Sequence, residues 1–195
     1  MADSSFTRDS WQRIEEFLRS NHPEIHHSLQ GPATEEAIAE LEQVVGQTLP
    51  NDFKELWRIH DGQDDDFGEG IFPDLSSEDW PEPPFLLMSV EMIQQDWSIL
   101  KALNAEGNFD DVRRRPPPEI QKEFWHQGWI PIGHNGAGDH YCLDMAPTEK
   151  GKVGQIIIYY NDGPDPILVA PSLADWLHDL ANGLESGKFR LEEDE

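Results

Sequence analysis

The sequence predicts an α+β fold in a single domain, with a largely antiparallel sheet backed by helices at both ends of the chain. Apolar residues recur at helical spacing through the first half and again after residue 172. Between residues 129 and 170, four short apolar runs are separated by turns. Helices, then consecutive strands with short loops, then a final helix is the order expected of an α+β domain.

Five helices follow from the apolar spacing and from residues suited to helix ends. Thr34 and Ser89 are N-cap residues, and Ser172 opens a capping box before the last helix. Gly46 ends a helix because glycine readily adopts the left-handed conformation there. The five helices are expected to begin near Phe6, Thr34, Pro50, Ser89 and Ser172, and to end near Ser20, Gly46, Asp61, Leu100 and Leu180.

Strands are predicted where apolar residues form short runs bounded by turn residues. The glycines between two of these runs indicate a tight turn with positive φ, which glycine adopts without steric cost. A further strand is considered over residues 70–75. The five expected strands are Phe85 to Met88, Trp129 to Ile132, His140 to Leu143, Gln155 to Tyr160 and Ile167 to Ala170.

Residues 104–128 are predicted to form a surface insertion, because Arg113 to Arg115 and Pro116 to Pro118 interrupt any periodicity. The three arginines are interpreted as a surface patch. Residues 191–195 form an acidic tail that is expected to fray. Neither a repeat nor an interdomain linker is evident, so residues 1–190 are expected to form one domain.

Acidic residues outnumber basic ones by 39 to 14, which gives a formal net charge of -25. Such a chain repels nucleic acid phosphates and anionic lipid, and it attracts a basic protein. No Lys or Arg lies between Arg58 and Lys101. We therefore expect a basic protein partner, no nucleic acid and no membrane. The candidate partner-binding residues in this window are Asp64, Asp65, Asp66, Phe67, Glu69, Phe72 and Trp80.

The sequence carries no mark of an exported or membrane protein. The N-terminus lacks a basic start followed by an apolar stretch. No apolar run approaches the roughly 20 residues of a membrane span. Cys142 is the single cysteine, which fits a reducing compartment. We expect a cytoplasmic protein.

One dense group of His and Asp residues surrounds the glycine-rich turn: His134, Asp139, His140 and Asp144. Zn²⁺ sites use such side chains, but no spacing here matches a ligand pattern. Asp139 and Asp144 also have ordinary roles as turn residues whose carboxylates accept backbone N–H groups. We expect no metal, no cofactor and no catalytic residue. The alternative is a hydrolase or small-ligand protein that uses His134, Asp139 and His140.

Several short patterns occur in a fixed order along the chain. A Gly-x-x-Leu-Pro-x-x-Phe step spans residues 46–53, and an Asp-Gly pair begins at residue 61. A Trp-Ile-Pro-Ile-Gly run then leads into Gly-x-Gly-Asp-x-Tyr-x-Leu-Asp, ending at residue 144. Over residues 34–182 this order resembles the SUKH superfamily of Smi/Knr-type proteins. The motif positions with expected structural roles are Leu49, Pro50, Gly62, Trp129, Gly133, Gly136, Gly138, Asp139 and Asp144.

The resemblance implies an α+β fold and a binding role, with no shared catalytic set. Many bacterial members resemble immunity proteins that neutralise toxins, often nucleases. Fungal members resemble regulators of cell-wall synthesis and signalling. A nuclease is basic because it binds phosphate, and an acidic inhibitor suits it. The leading expectation is an immunity protein against a basic toxin. A regulatory or scaffold protein of cell-wall synthesis or signalling is the alternative.

Overall fold

The computed structural model describes residues 4–64, 69–75, 84–109 and 112–191. In these residues the helices are α1 Ser4–Asn21, α2 Pro23–Ser28, α3 Glu35–Val45, α4 Asn51–Trp57, α5 Val90–Ala105 and α6 Leu173–Ser186. The strands are β1 Leu86–Leu87, β2 Trp129–His134, β3 His140–Asp144, β4 Gln155–Tyr159 and β5 Ile167–Ala170. The predicted α+β fold is confirmed.

The strands form one sheet in the order β1-β2-β3-β4-β5, and every neighbouring pair is antiparallel. Each strand therefore lies beside the one that precedes it in sequence. The register places Trp129 opposite Asp144 and His140 opposite Tyr159. Because successive side chains alternate between faces, His140 and Tyr159 share one face, and Tyr141 lies on the other.

Helices from both ends of the chain cover the Tyr141 face of the sheet. The Tyr141 ring stacks on Trp176 of α6, with ring centroids 5.6 Å apart. Helix α1 packs along α6 and also contacts α4. Trp11, Ile14 and Leu18 of α1 are fully buried. Burying each side chain of this size contributes about 1.5–3 kcal/mol, so α1 is part of the core.

Helix α5 and residues 112–126, here called the covering segment, lie over the opposite face. The rings of Trp97 on α5 and Trp125 on the segment are 6.5 Å apart. The Phe124 ring lies 5.5 Å from Tyr159, edge to face. Both aromatic residues of the segment are less than a tenth exposed. The sheet is thus covered on both faces.

The prediction that residues 104–128 form a surface insertion is therefore wrong for their second half. Ile120, Phe124 and Trp125 are buried in the main hydrophobic core. The physical reason is that this sheet face, if left open, would expose apolar surface to water. The spacing of these three residues is the available signal, although the prolines before them obscure it.

Arg114 fastens the covering segment to the loop between β4 and β5. Its guanidinium lies 4.8 Å above the Phe124 ring. It donates hydrogen bonds of 2.8–3.1 Å to the carbonyl oxygens of Tyr160, Asn161, Gly163 and Pro164. The interpretation of Arg113 to Arg115 as a surface patch is therefore wrong for Arg114, because its charge is used inside the fold.

The predicted helix caps are confirmed. The hydroxyls of Thr34, Ser89 and Ser172 accept N–H groups in the first turns of α3, α5 and α6. Gly46 ends α3 with a φ of +74°. The three hydroxyl groups satisfy backbone N–H donors that the start of a helix leaves without partners.

Three local expectations need correction. Helix α2 is absent from the predicted helices, because proline commonly interrupts a helix; Pro23 instead lies in the first turn, where proline is well suited. Helix α4 ends at Trp57, before the Asp61-Gly62 pair. Within residues 69–75 only an isolated bridge from Phe72 to Phe85 occurs, and no strand. None of the helices in the described residues is long and apolar enough to span a membrane.

Candidate functional site

Asn135 and Asp139 hold the turn between β2 and β3. Asp139 Oδ2 accepts Asn135 Nδ2–H at 2.9 Å, and Asp139 Oδ1 accepts the Asn161 N–H at 2.7 Å. Asn135 Oδ1 accepts the N–H groups of Ala137 at 2.9 Å and Asp139 at 3.3 Å. Both carboxylate oxygens of Asp139 are thus engaged, and they tie this turn to the end of β4.

The two glycines inside the turn differ in their surroundings. Gly136 and Gly138 have φ values of +76° and +94°, a backbone conformation that residues with a Cβ rarely adopt. A Cβ at Gly138 would lie 3.3 Å from the Asn161 side chain, whereas none of the described atoms lies within 4 Å of one at Gly136. Only Gly138 therefore combines the conformational requirement with a packing requirement.

We expect Gly138→Val to lower the free energy of unfolding by about 2–4 kcal/mol, because the substitution combines backbone strain with crowding of Asn161. Gly136→Val is the matched control. It should lower the free energy of unfolding only by the cost of backbone strain, about 1–3 kcal/mol. Urea unfolding of both variants and the parent provides the comparison. A Gly138→Val protein that unfolds like the parent yet loses a measurable activity would instead assign this turn to a functional site.

His140 joins α5 to the sheet. Its side chain is almost fully buried, and Nε2 lies 3.0 Å from Asp96 Oδ2 on α5. The ring also stacks on Tyr159, with centroids 6.2 Å apart. His134 lies opposite His140 across the β2–β3 ladder. Because His140 has little contact with solvent and both oxygens of Asp139 are engaged, the geometry favours structural roles over the hydrolase alternative.

Asp144 is a buried carboxyl at the end of β3. Its Oδ1 accepts the Ala146 N–H at 3.0 Å, and its Oδ2 accepts Gln155 Nε2–H at 2.8 Å. Gln155 also donates to Glu119 O at 3.2 Å and accepts the Lys152 N–H at 3.0 Å. This network connects β3 and β4 to the covering segment. Burial raises the pKa of Asp144 above its ordinary value, although the hydrogen bonds oppose that shift.

We expect the Asp144 carboxyl to titrate in the folded protein with a pKa above 3.8, its ordinary value. The native state then holds this proton more tightly than the unfolded chain does. Asp144 therefore favours folding below pH 3.8, and that contribution is lost as the pH rises through the folded-state pKa. The carboxyl ¹³C chemical shift followed against pH measures the value, with Asp144→Asn identifying the resonance. A pKa at or below 3.8 would contradict the conclusion that burial affects the Asp144 pKa more than the hydrogen bonds do.

The other motif positions also lie inside the fold. The Leu49 N–H donates to the Glu42 carboxylate at 2.8 Å, and Pro50 is the residue before the first turn of α4. Gly62 has a φ of +80° and lies against the start of α5. Trp129 is fully buried, and a Cβ at Gly133 would lie 3.0 Å from the Phe72 ring.

The acidic window is only partly described by the structure. Asp64 and Glu69 are exposed, as a contact surface requires. Phe72 is fully buried, with its ring 5.2 Å from Tyr141, so its proposed role as a partner-binding anchor is wrong. The aromatic ring is used to fill the core beside β1. The remaining candidates, Asp65, Asp66, Phe67 and Trp80, lie outside the described residues.

Two features of the structure could not be predicted from the sequence. Asp52 Oδ2 accepts the Ala174 N–H at 3.1 Å, which ties α4 to the first turn of α6. No local pattern identifies such a pair, because 122 positions separate the partners. Ile99 and Leu103 on α5 are exposed, and they lie on the side of the helix away from the buried Val90 and Trp97. Their four-residue spacing is visible in the sequence, but it does not reveal that these two side chains are exposed.

The fold and the site together define a class of protein, namely an α+β domain whose His- and Asp-rich turn is held together by its own hydrogen bonds. In the ranges that the structure describes, no group of three or more His, Cys, Asp or Glu side chains could hold a metal ion. Residues 32–179 match the model of the SMI1 / KNR4 family (SUKH-1), and the chain belongs to this family. The resemblance inferred from the motifs is thereby confirmed.

Three curated relatives are fungal regulators by name. The chain is 32% identical over 96% of its length to the cell wall biosynthesis/cell cycle regulator smi1 of Schizosaccharomyces pombe. It is 30% identical over 95% to the glucan synthesis regulatory protein of Neurospora crassa, and 26% identical over 95% to the cell wall assembly regulator SMI1 of Saccharomyces cerevisiae. It spans 38–42% of the length of these relatives.

Proposed function

We propose that this chain is a non-catalytic protein-binding module that regulates cell-wall synthesis. The observation that carries the proposal is its similarity, along nearly its whole length, to three fungal proteins named as regulators of wall assembly or glucan synthesis. The structure supports a binding role, because Asp139, His140 and Asp144 of the dense His and Asp group are engaged in turn and interlayer hydrogen bonds.

We propose the regulatory role in place of the immunity role that was expected from the sequence. That expectation depended on the charge and on bacterial members of the superfamily, and the three relatives described above are fungal regulators by name. The charge argument itself is unchanged, since a net charge of -25 favours a basic partner whether that partner is a toxin or a regulatory target. We therefore retain a basic protein as the proposed partner.

A replacement experiment tests the regulatory role. In a Saccharomyces cerevisiae strain lacking its SMI1 relative, that protein is expressed with its matching region replaced by residues 1–195 of this chain. Growth on a wall-perturbing dye and wall glucan content are measured. The proposal expects both to return toward the parental values, because the matching region would supply the same contacts.

The control for this experiment is the same chimera carrying Gly62→Val, which should fail because the domain is destabilised. Immunoblotting confirms that the unmodified chimera accumulates normally. Normal accumulation without recovery of growth or glucan content would show that the domain does not provide the regulatory function.

A further inference from the structure

The outward faces of α3 and α5 carry large apolar side chains that the core does not use. Ile99 is 57% exposed, Val44 38% and Leu103 36%. Helix α3 packs against α5, so all three lie on one helix pair. In the described part of the chain, the exposed large apolar side chains are Phe6, Val44, Ile99, Leu103, Val112 and Val153. Half of them are therefore concentrated on these two helices.

Helix α5 continues beyond the part that packs on the sheet. Val90, Ile93 and Trp97 are buried, but residues 98–105 are exposed except for Leu100, which is half-buried. Ile99 and Leu103 are four residues apart and so lie on the same face. An amphipathic surface helix normally presents polar side chains to water. The two exposed apolar residues are thus unexplained by folding alone.

Exposed acidic side chains precede the exposed apolar residues on both helices. On α3, Glu36, Glu40 and Val44 follow one another at intervals of four, and all are exposed. On α5, Glu91 precedes Ile99 by eight residues, or just over two turns, and is also exposed. On both helices the exposed carboxylates therefore lie in the N-terminal part and the exposed apolar side chains in the C-terminal part.

Basic residues are almost absent from this helix pair. Helix α3 contains no Lys or Arg, and α5 contains only Lys101. The Lys101 ammonium lies 4.5 Å from the centre of the Trp97 ring. The carboxylates of Glu36, Glu40 and Glu91 thus lie on helices with little opposing charge. Their charge is available to an incoming basic group.

We propose that this α3–α5 face, defined by Glu36, Glu40, Val44, Glu91, Ile99 and Leu103, binds a basic amphipathic helix of the partner protein. The inference rests on the proposed function and identifies the surface that would carry it. Apolar side chains of the partner cover Ile99 and Leu103, and its Lys or Arg side chains meet the glutamates.

The spacing defines the partner further. Glu91 and Ile99 are separated by about 12 Å along the helix axis, at 1.5 Å per residue. A matching helix carries two apolar residues one turn apart and basic residues about two turns away, beside the apolar face. A second copy of this chain fits poorly, since it would place acidic stripes against acidic stripes and two charges of -25 would repel.

A binding measurement with a defined probe tests the surface. The probe is a fluorescent Leu/Lys peptide of about 20 residues with all its leucines on one helical face. A peptide of the same composition without that face, and a Leu/Glu peptide, are the comparators. Fluorescence anisotropy gives the Kd for the full chain and for each variant, and circular dichroism checks that each variant is folded.

The double variant Ile99→Ser/Leu103→Ser should bind the amphipathic probe about tenfold more weakly or worse. Val153→Ser is the matched control, because Val153 is exposed but lies between β3 and β4; its affinity should equal the parent's. Glu36→Lys/Glu91→Lys should slow association and reduce its dependence on salt. The comparator peptides should bind less tightly than the probe.

Two results of measurements on the purified protein would overturn the inference. Unchanged affinity of Ile99→Ser/Leu103→Ser would show that charge alone attracts the probe. A dimer of the parent in sedimentation, converted to a monomer by the same double variant, would assign this face to a second copy of the chain.

The yeast chimera separates this inference from the proposed function. If the unmodified chimera restores growth and the Ile99→Ser/Leu103→Ser chimera does not, the face is needed for regulation. If both restore growth, the docking surface is wrong and the regulatory role stands. If the unmodified chimera fails, the regulatory role is wrong, and the peptide measurement alone decides whether the face binds basic helices.

Discussion

Gly62→Val is expected to lower the free energy of unfolding by about 3–5 kcal/mol, the sum of a backbone and a packing effect. Gly62 has a φ of +80°, which a β-branched residue adopts only with strain. A Cβ there would also overlap the backbone of Met88 and Ser89. The Met88 carbonyl accepts the Trp57 indole N–H, and the Ser89 hydroxyl caps α5. The insertion of α5 into the fold would therefore be disturbed.

Gly46→Val is the control that separates the two effects. Gly46 has nearly the same φ, +74°, but none of the described atoms lies within 4 Å of the position that a Cβ would occupy there. Gly46→Val should therefore lower the free energy of unfolding only by the cost of backbone strain, about 1–3 kcal/mol. In thermal unfolding, 1 kcal/mol corresponds to roughly 2–4 °C in Tm for a chain of this size. Equal Tm losses in the two variants would contradict the close approach at Gly62.

Local signals predict much of the fold because the physics behind them is local. Thr34, Ser89 and Ser172 cap helices through N–H groups only three residues away. Gly136 and Gly138 are expected at positive φ, and both adopt it. Such interactions depend on neighbours in sequence, so a single chain is enough to predict them.

The errors arise where partners are distant in sequence. Phe72 is expected at the surface because its neighbours are acidic, yet its ring contacts Tyr141, which is far along the chain. Arg114 is expected to be a surface charge, and its acceptors lie 46–50 positions away. Composition describes the average environment of a segment. It does not determine which side chain of that segment turns inward, because that depends on the sheet it meets.

The same distinction applies to the candidate site. The turn roles of Asp139 and Asp144 could be expected, since each accepts an N–H group close by in sequence or across a predicted hairpin. The burial of His140 against Asp96 of α5 could not, because it requires the helix to cross the sheet at that residue. A His and Asp cluster in a sequence therefore indicates proximity without indicating solvent access.

Trp125→Ala is expected to lower the free energy of unfolding by about 3–5 kcal/mol, because it removes a buried indole and leaves a cavity between the covering segment and α5. Trp125 is 1% exposed and packs on Trp97. Lys122→Ala is the control: Lys122 is exposed on the same segment, so its loss should stay within about 0.5 kcal/mol. Urea unfolding measures both. If residues 112–126 lay on the surface without packing on the sheet, Trp125→Ala would unfold like Lys122→Ala. The sheet would then have to be stable with one face exposed to solvent. A large difference between the two variants requires the segment to be a layer of the core, fastened near its start by Arg114 and near its middle by the Asp144–Gln155–Glu119 network.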